Sequence, residues 1–186
     1  MLTLLVNARV LDMTGREPVE GAALAIENGR IREIAASGRV PRPAGARVVD
    51  CGGHTVMPGL TDAHVHVLAV EANILEQHRA LPPSLAVLKA GVVLREVLLQ
   101  GYTTVRDCGG ADWGVAQAVA TGVVPGPRLL VSGRPISQTG GHGDCWVPAG
   151  LRLPKRTWLP NNIADGVDEV RKVARELLMA GADFLK

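Results

Sequence analysis

The stretch VMPGLTDAHVHV, residues 56–67, constrains this chain more than any other. Pro58 and Gly59 interrupt what precedes them, and a short run of strand character follows. A strand turns successive side chains to opposite faces, so Asp62, His64 and His66 share one face and Ala63, Val65 and Val67 share the other. Two imidazoles two residues apart on a stiff strand reach one metal ion with little loss of conformational freedom. Imidazole suits zinc and related divalent ions. Asp62 is placed to orient a ligand or to join the outer shell of such a site. A bare His-x-His also occurs as a hydrogen-bonded pair at a strand end, so these residues alone leave both readings open.

The chain divides on either side of this strand. Residues 1–57 read as all-β. Apolar runs cover 2–10 and 20–26, and Asn28-Gly29 suits a two-residue hairpin turn. A return strand covers 31–35, a loop with Pro and Gly covers 39–45, and another strand starts at 47. Short strands joined by tight turns predict a small β-sandwich with no chemistry of its own.

From 58 to 186, strand and helix alternate. Ser84 is read as the cap of a helix reaching about residue 100, with Leu85, Leu88, Val92, Arg95 and Leu99 along one side. Gly101 ends it. Strands are expected over 103–107 and 128–132, with a short helix over 112–120 between them. A Gly- and Pro-rich stretch covers 133–160. A helix from Asp165 runs through Ala180, Gly181 closes it, and a fourth strand covers 182–186.

Such β/α repeats predict a parallel sheet, either doubly wound and open or closed as a (β/α)8 barrel. No Gly-x-Gly-x-x-Gly follows the first strand, which counts against a dinucleotide fold. Four strands are half of what the barrel needs. The expectation is therefore an α/β chain: an N-terminal β-sandwich portion over 1–57, then the first half of a TIM barrel over 58–186, truncated after Lys186.

Composition narrows the function classes. Apolar residues make up 47% and aromatics 3%, so Leu, Val and Ala build a globular core. The chain has 20 basic and 18 acidic residues, and no basic run interleaves with aromatics, which argues against a nucleic-acid surface. The first residues lack the basic segment and cleavage site of a signal peptide. No apolar run is long enough to span a membrane. Cys51, Cys108 and Cys145 are widely spaced and read as reduced thiols. The expectation is a cytoplasmic protein that acts on a small molecule, with no membrane or nucleic-acid partner.

Longer motifs carry a resemblance. Pro58-Gly59-Leu60-x-Asp62-x-His64-x-His66 strongly resembles the first barrel strand of the amidohydrolase superfamily of metal-dependent hydrolases. VVDCGG, residues 48–53, resembles that family's passage into the barrel. GADFLK, residues 181–186, is similar to a GADFIK stretch whose lysine is carboxylated by CO2 and bridges two metals. TTVRDCGG (103–110) and SQTGGHGD (137–144) are similar to one branch. That branch holds Xaa-Pro dipeptidases, Xaa-Arg and Xaa-Lys carboxypeptidases, ochratoxin-type amidases and imidazolonepropionase-like proteins.

The resemblance implies two divalent metal ions, zinc foremost, held by His64, His66 and a CO2-derived carbamate on Lys186. It implies His142 as a substrate-binding residue. It implies hydrolysis of the amide or peptide bond of a dipeptide or N-acyl amino acid by a metal-bridging hydroxide, often in a homo-oligomer. Its other ligands and its catalytic acid/base Asp, expected after strand eight, are not among residues 1–186, which alone are expected to be inactive. A carbamate forms only on a neutral amine, the form that burial favours.

Two further readings use the same residues. A mononuclear cyclic amide hydrolase of imidazolonepropionase or deaminase type needs His64 and His66 but no bridging lysine. A non-catalytic metal-binding or interaction protein would have kept the strands and lost the later ligands. Arg106 and Asp107 are expected to pair with each other or with the barrel floor. Cys108 and Cys145 match no zinc spacing. His54 and His78 read as surface or packing residues, and Trp146 and Trp158 as lining a pocket or covering a small core.

Overall fold

The computed structural model describes residues 2–36, 38–144, 146–147, 151–152 and 162–186, with backbone alone at 75, 78, 79, 146, 147, 151 and 152. They form two compact units, Met1–Pro58 and Gly59–Lys186.

In the first unit, β1 (Leu2–Val10), β2 (Val19–Glu27), β3 (Arg30–Ala36), β4 (Arg47–Asp50) and β5 (Thr55–Val56) share one five-stranded sheet. Its order is β3-β2-β1-β4, with β5 also beside β1. Asn28 and Gly29 both take positive φ, 51° and 74°, as a two-residue hairpin of this hand demands. β2 and β3 pair antiparallel across that turn. β4 and β5 run parallel to β1.

Asn7 divides the apolar packing of this sheet in two. It takes a φ of 54° at a break in the β1–β2 register, and its amide donates to both Asp50 oxygens at 3.0 Å. A bulge of this kind shifts the side-chain phase. Before it, Leu4 and Val6 pack with Ala23 and Ala25; after it, Ala8 and Val10 pack with Ala22 and Leu24 in a separate cluster. Loop residues, Val40 in one cluster and Cys51 in the other, complete the two patches. One sheet thus buries apolar groups on both faces without a second sheet to cover it.

The second unit alternates strand and helix. β6 (Leu60–Val65) is followed by α1 (Ile74–Ala80), α2 (Pro83–Leu99), β7 (Tyr102–Asp107), α3 (Trp113–Ala120) and β8 (Arg128–Val131). Short strands β9 (Ile136–Ser137), β10 (Trp146–Val147), β11 (Leu151–Arg152) and β12 (Asn162–Ile163) precede α4 (Gly166–Met179). β6, β7 and β8 pair in that order, all parallel. The core lies between this sheet and its helices: Val105, Leu129 and Val131 from the strands meet Leu94 of α2 and Val115 and Val119 of α3. The sheet is open among the described residues. No described helix is long and apolar enough to cross a membrane.

Three local expectations need correction. Ser84 does not cap α2; Pro82 is the cap residue, without a side-chain bond, and Pro83 opens the helix, where its missing N–H costs nothing. The buried face of α2 is Ala86, Ala90 and Leu94, while Leu88, Val92 and Leu99 are 72%, 63% and 65% exposed. Small side chains let the helix approach the sheet closely, so size and not hydropathy chose the face. Residues 182–186 form no strand. Asp183 N–H donates to Val131 C=O at 2.8 Å, but the Asp183 carboxylate takes the Val131 N–H that a main-chain carbonyl would otherwise accept.

Gly59 marks the entrance to β6. A Cβ there would stand 2.0 Å from Thr103 Oγ1 and 2.6 Å from Thr103 Cβ, so β7 approaches where only hydrogen fits. Gly59→Ala is expected to lower the unfolding free energy by about 1–3 kcal/mol in a denaturant titration. An unchanged midpoint would contradict this packing.

Candidate metal and substrate site

The two strand-one imidazoles sit at the C-terminal end of β6, the rim where β/α sheets place working groups. The β6–β7 register breaks between Asp62 and Val65, so one extra residue is accommodated on β6. Asp62 Oδ1 accepts from the His64 backbone N–H at 3.0 Å, occupying a donor near this break in the ladder. The rings of His64 and His66 lie with centroids 5.4 Å apart at 61°.

Their hydrogen bonds fix which nitrogens are available. His66 Nδ1 is 2.8 Å from Gly109 C=O. A carbonyl only accepts, so Nδ1 carries the proton and Nε2 keeps its lone pair. His64 Nε2 is 3.0 Å from Lys186 Nζ. An amine donor there places the His64 lone pair at Nε2 as well. Residues 122 positions apart in sequence thus meet at one point.

Asp107, at the end of β7, underlies this arrangement. It is fully buried. Oδ2 accepts from Val67 N–H at 2.7 Å; Oδ1 accepts from Gly109 N–H at 2.9 Å and from Ala111 N–H at 3.2 Å. One carboxylate therefore grips the residue after His66 and the loop whose carbonyl holds the His66 ring. Burial pushes its pKa up from the ordinary value, against the three N–H bonds and the nearby His66. The expected Arg106–Asp107 pair is absent; the Arg106 guanidinium lies 4.0 Å above the Phe184 ring. Asp107 was readable only as a strand end, because its partners are backbone amides and leave no sequence pattern.

A cavity of about 530 Å³ brings His66, His142 and Lys186 together. His64 reaches it through Lys186 and is not itself in the wall. His142 is carried by a loop closed on itself: Gly143 N–H donates to Ser137 Oγ at 3.1 Å and Gly140 N–H to Asp144 Oδ2 at 3.0 Å. The Asp165 carboxylate accepts from both the hydroxyl and the N–H of Thr139, which hold its pKa below the usual range. Gln77 of α1 was also missed. It is buried, accepts from Val70 and Glu71 N–H and donates to Leu68 C=O, fixing the loop after β6.

Lys186 is exposed among the described residues, not buried as a carbamate site was expected to be. No cluster of three or more His, Cys, Asp or Glu side chains is present among them. The donors at hand are two imidazoles and one amine, and an amine becomes an oxygen ligand only once carboxylated. His54 Nδ1 lies 2.8 Å from Cys51 C=O, a packing role. Cys51 and Cys108 are free thiols. Cys145 and Trp158, and the side chains of His78 and Trp146, lie outside what is described.

The sequence model of the amidohydrolase family matches residues 55–186. The chain belongs to the amidohydrolase family. It is 33% identical over 184 residues to ochratoxinase of Aspergillus niger, covering 91% of this chain and 38% of that protein. A crystal structure of an amidohydrolase superposes with a TM-score of 0.89 at 42% identity, and one of a prolidase complexed with N-methylphosphonate-L-proline with a TM-score of 0.90 at 40%. Both cover all of this chain, which spans 46% of theirs. The chain therefore spans less than half the length of these amidohydrolases.

Asp107→Asn replaces one accepting oxygen with a donor facing backbone N–H groups. It is expected to cost about 1–3 kcal/mol of stability. It should also weaken the His66 Nδ1–H bond, read as a shift towards mixed tautomers in 15N-edited NMR of the imidazoles. Unaltered His66 signals would contradict the clamp.

Proposed function

We propose that this chain supplies the first part of a metal-dependent hydrolase site that cleaves the amide or peptide bond of a dipeptide or an N-acyl amino acid. The observation that carries the reading is the 3.0 Å approach of Lys186 Nζ to His64 Nε2, with His66 beside them. Membership in the amidohydrolase family, whose members are generally metal-dependent, supports it. So does the likeness to a prolidase and to ochratoxinase.

The donor set fits such a centre. Nε2 of His64 and Nε2 of His66 would hold one ion, and Lys186, once carboxylated, would offer two oxygens to a pair of ions. Divalent ions bound there, zinc foremost, supply charge to polarise a scissile carbonyl and to lower the pKa of a water towards about 7. The residues of this chain do the positioning. Gly109 C=O keeps the His66 proton on Nδ1, and Asp107 keeps Gly109 in place. His142, in the cavity wall, offers a ring N–H to an oxygen of the substrate. No residue of this chain is assigned as a further metal ligand or as a proton-carrying aspartate.

With zinc and 13C-bicarbonate, a carbamate carbon is expected in the NMR spectrum of the wild-type protein and not in Lys186→Ala. Metal content should fall from about two zinc ions per chain when His64 and His66 are both replaced by Ala. Absence of a carbamate carbon from the wild-type spectrum, or zinc content unchanged in the double His variant, would overturn the reading.

A further inference from the structure

The apolar row along α2 that reads as a core face in the sequence is the face left to solvent. Leu85, Leu88, Val92 and Leu99 are exposed, while Ala86, Ala90 and Leu94 on the opposite side are buried. A helix that is apolar on both sides is one that becomes covered on both sides. The exposed row also has a specific spacing. Leu85, Leu88, Val92, Arg95 and Leu99 follow one another at alternate steps of three and four, the repeat of a seam between paired helices. At 3.6 residues per turn its four apolar members lie within about 60° of one another.

The charges beside this seam indicate its occupant. Lys89 follows Leu88 and Glu96 follows Arg95, one repeat apart, so both border the seam on the same side. Val92 stands midway between them. When two such helices run antiparallel about a two-fold axis at Val92, Leu85 of each meets Leu99 of the other. Lys89 of each then meets Glu96 of the other, and Leu88 rests on the aliphatic stem of Arg95. The patch is therefore complementary to itself, as a two-fold interface requires. A parallel pair would set Lys89 against Ser84 and Glu96 against Gly91, with no opposite charge across the seam, and would align the two helix dipoles. Within the chain Lys89 pairs with Glu71, and Arg95 with Glu96 at 2.7 Å. All four side chains are exposed, so these pairs rearrange at little cost.

We propose that the outer face of α2 is a self-association surface, on which a second copy of this chain docks its own α2 antiparallel with the two-fold axis at Val92. The pairing needs no metal and no substrate, so it stands apart from the hydrolase reading.

Sedimentation velocity of the protein over a dilution series tests the pairing. The wild type is expected to show a reversible monomer–dimer equilibrium. Leu88→Asp should weaken it about tenfold or more, as loss of an interface anchor does. Lys89→Glu and Glu96→Lys should each weaken it, and the two together in one chain should restore it, because the swapped charges face each other again across the axis. Thermal unfolding of these variants should match the wild type, since every altered side chain is exposed. Val92→Cys should form a disulfide between two copies, located by mass spectrometry of the linked peptide. Val123→Cys, at an exposed position outside α2, should not. A wild type that stays monomeric at all concentrations, a Leu88→Asp variant that associates as the wild type does, a charge swap that fails to restore pairing, or cross-linking at position 123 as readily as at 92 would each overturn the proposal.

Discussion

A single buried carboxylate holds the rim of this sheet together. Asp107 has no room for water and three backbone donors to satisfy, all of them in loops that would otherwise have no ladder to join. An unpaired buried amide costs about 1–3 kcal/mol, so loss of this one group exposes several such costs at once. Because the donors belong to Val67 and Gly109, the same interaction that stabilises the strand ends also sets the position of His66. Stability and ligand geometry share one cause here.

The imidazoles then follow from constraints of decreasing strength. The β6 strand puts both on one side. The break in the β6–β7 register, with Asp62 holding the His64 N–H, sets the spacing at the strand end. The Gly109 carbonyl chooses the tautomer of one ring, and the Lys186 amine faces the free nitrogen of the other. Each step reduces the ordering that a metal ion or substrate would have to impose, which is what makes a preorganised site effective. The long separation in sequence between His64 and Lys186 means that this geometry exists only in the folded chain.

Much of this was legible in the sequence where a residue's own chemistry decides its role. Asn28-Gly29 forms the hairpin because both positions need positive φ, and Gly101 and Gly181 end their helices for the same reason. Pro58-Gly59 and the His-x-His pair marked the strand that carries the site. What failed was decided by neighbours. The face of α2 went to Ala86 and Ala90 because closeness of approach outweighed the size of Leu88 and Val92. The fourth strand was lost to an aspartate that took the place of a carbonyl. The roles of Asp107 and Gln77 left no sign because backbone amides and carbonyls, their partners, are the same in every sequence.

The idea on which all else rests is that His64 and His66 present their Nε2 lone pairs to a common point beside Lys186. Anomalous diffraction at the zinc edge, from crystals of the chain grown with zinc and bicarbonate, tests it most directly. A zinc peak bonded to both Nε2 atoms at about 2.0–2.1 Å is the expected result. Zinc bound only elsewhere, or imidazoles turned away from each other with no metal between them, would contradict it.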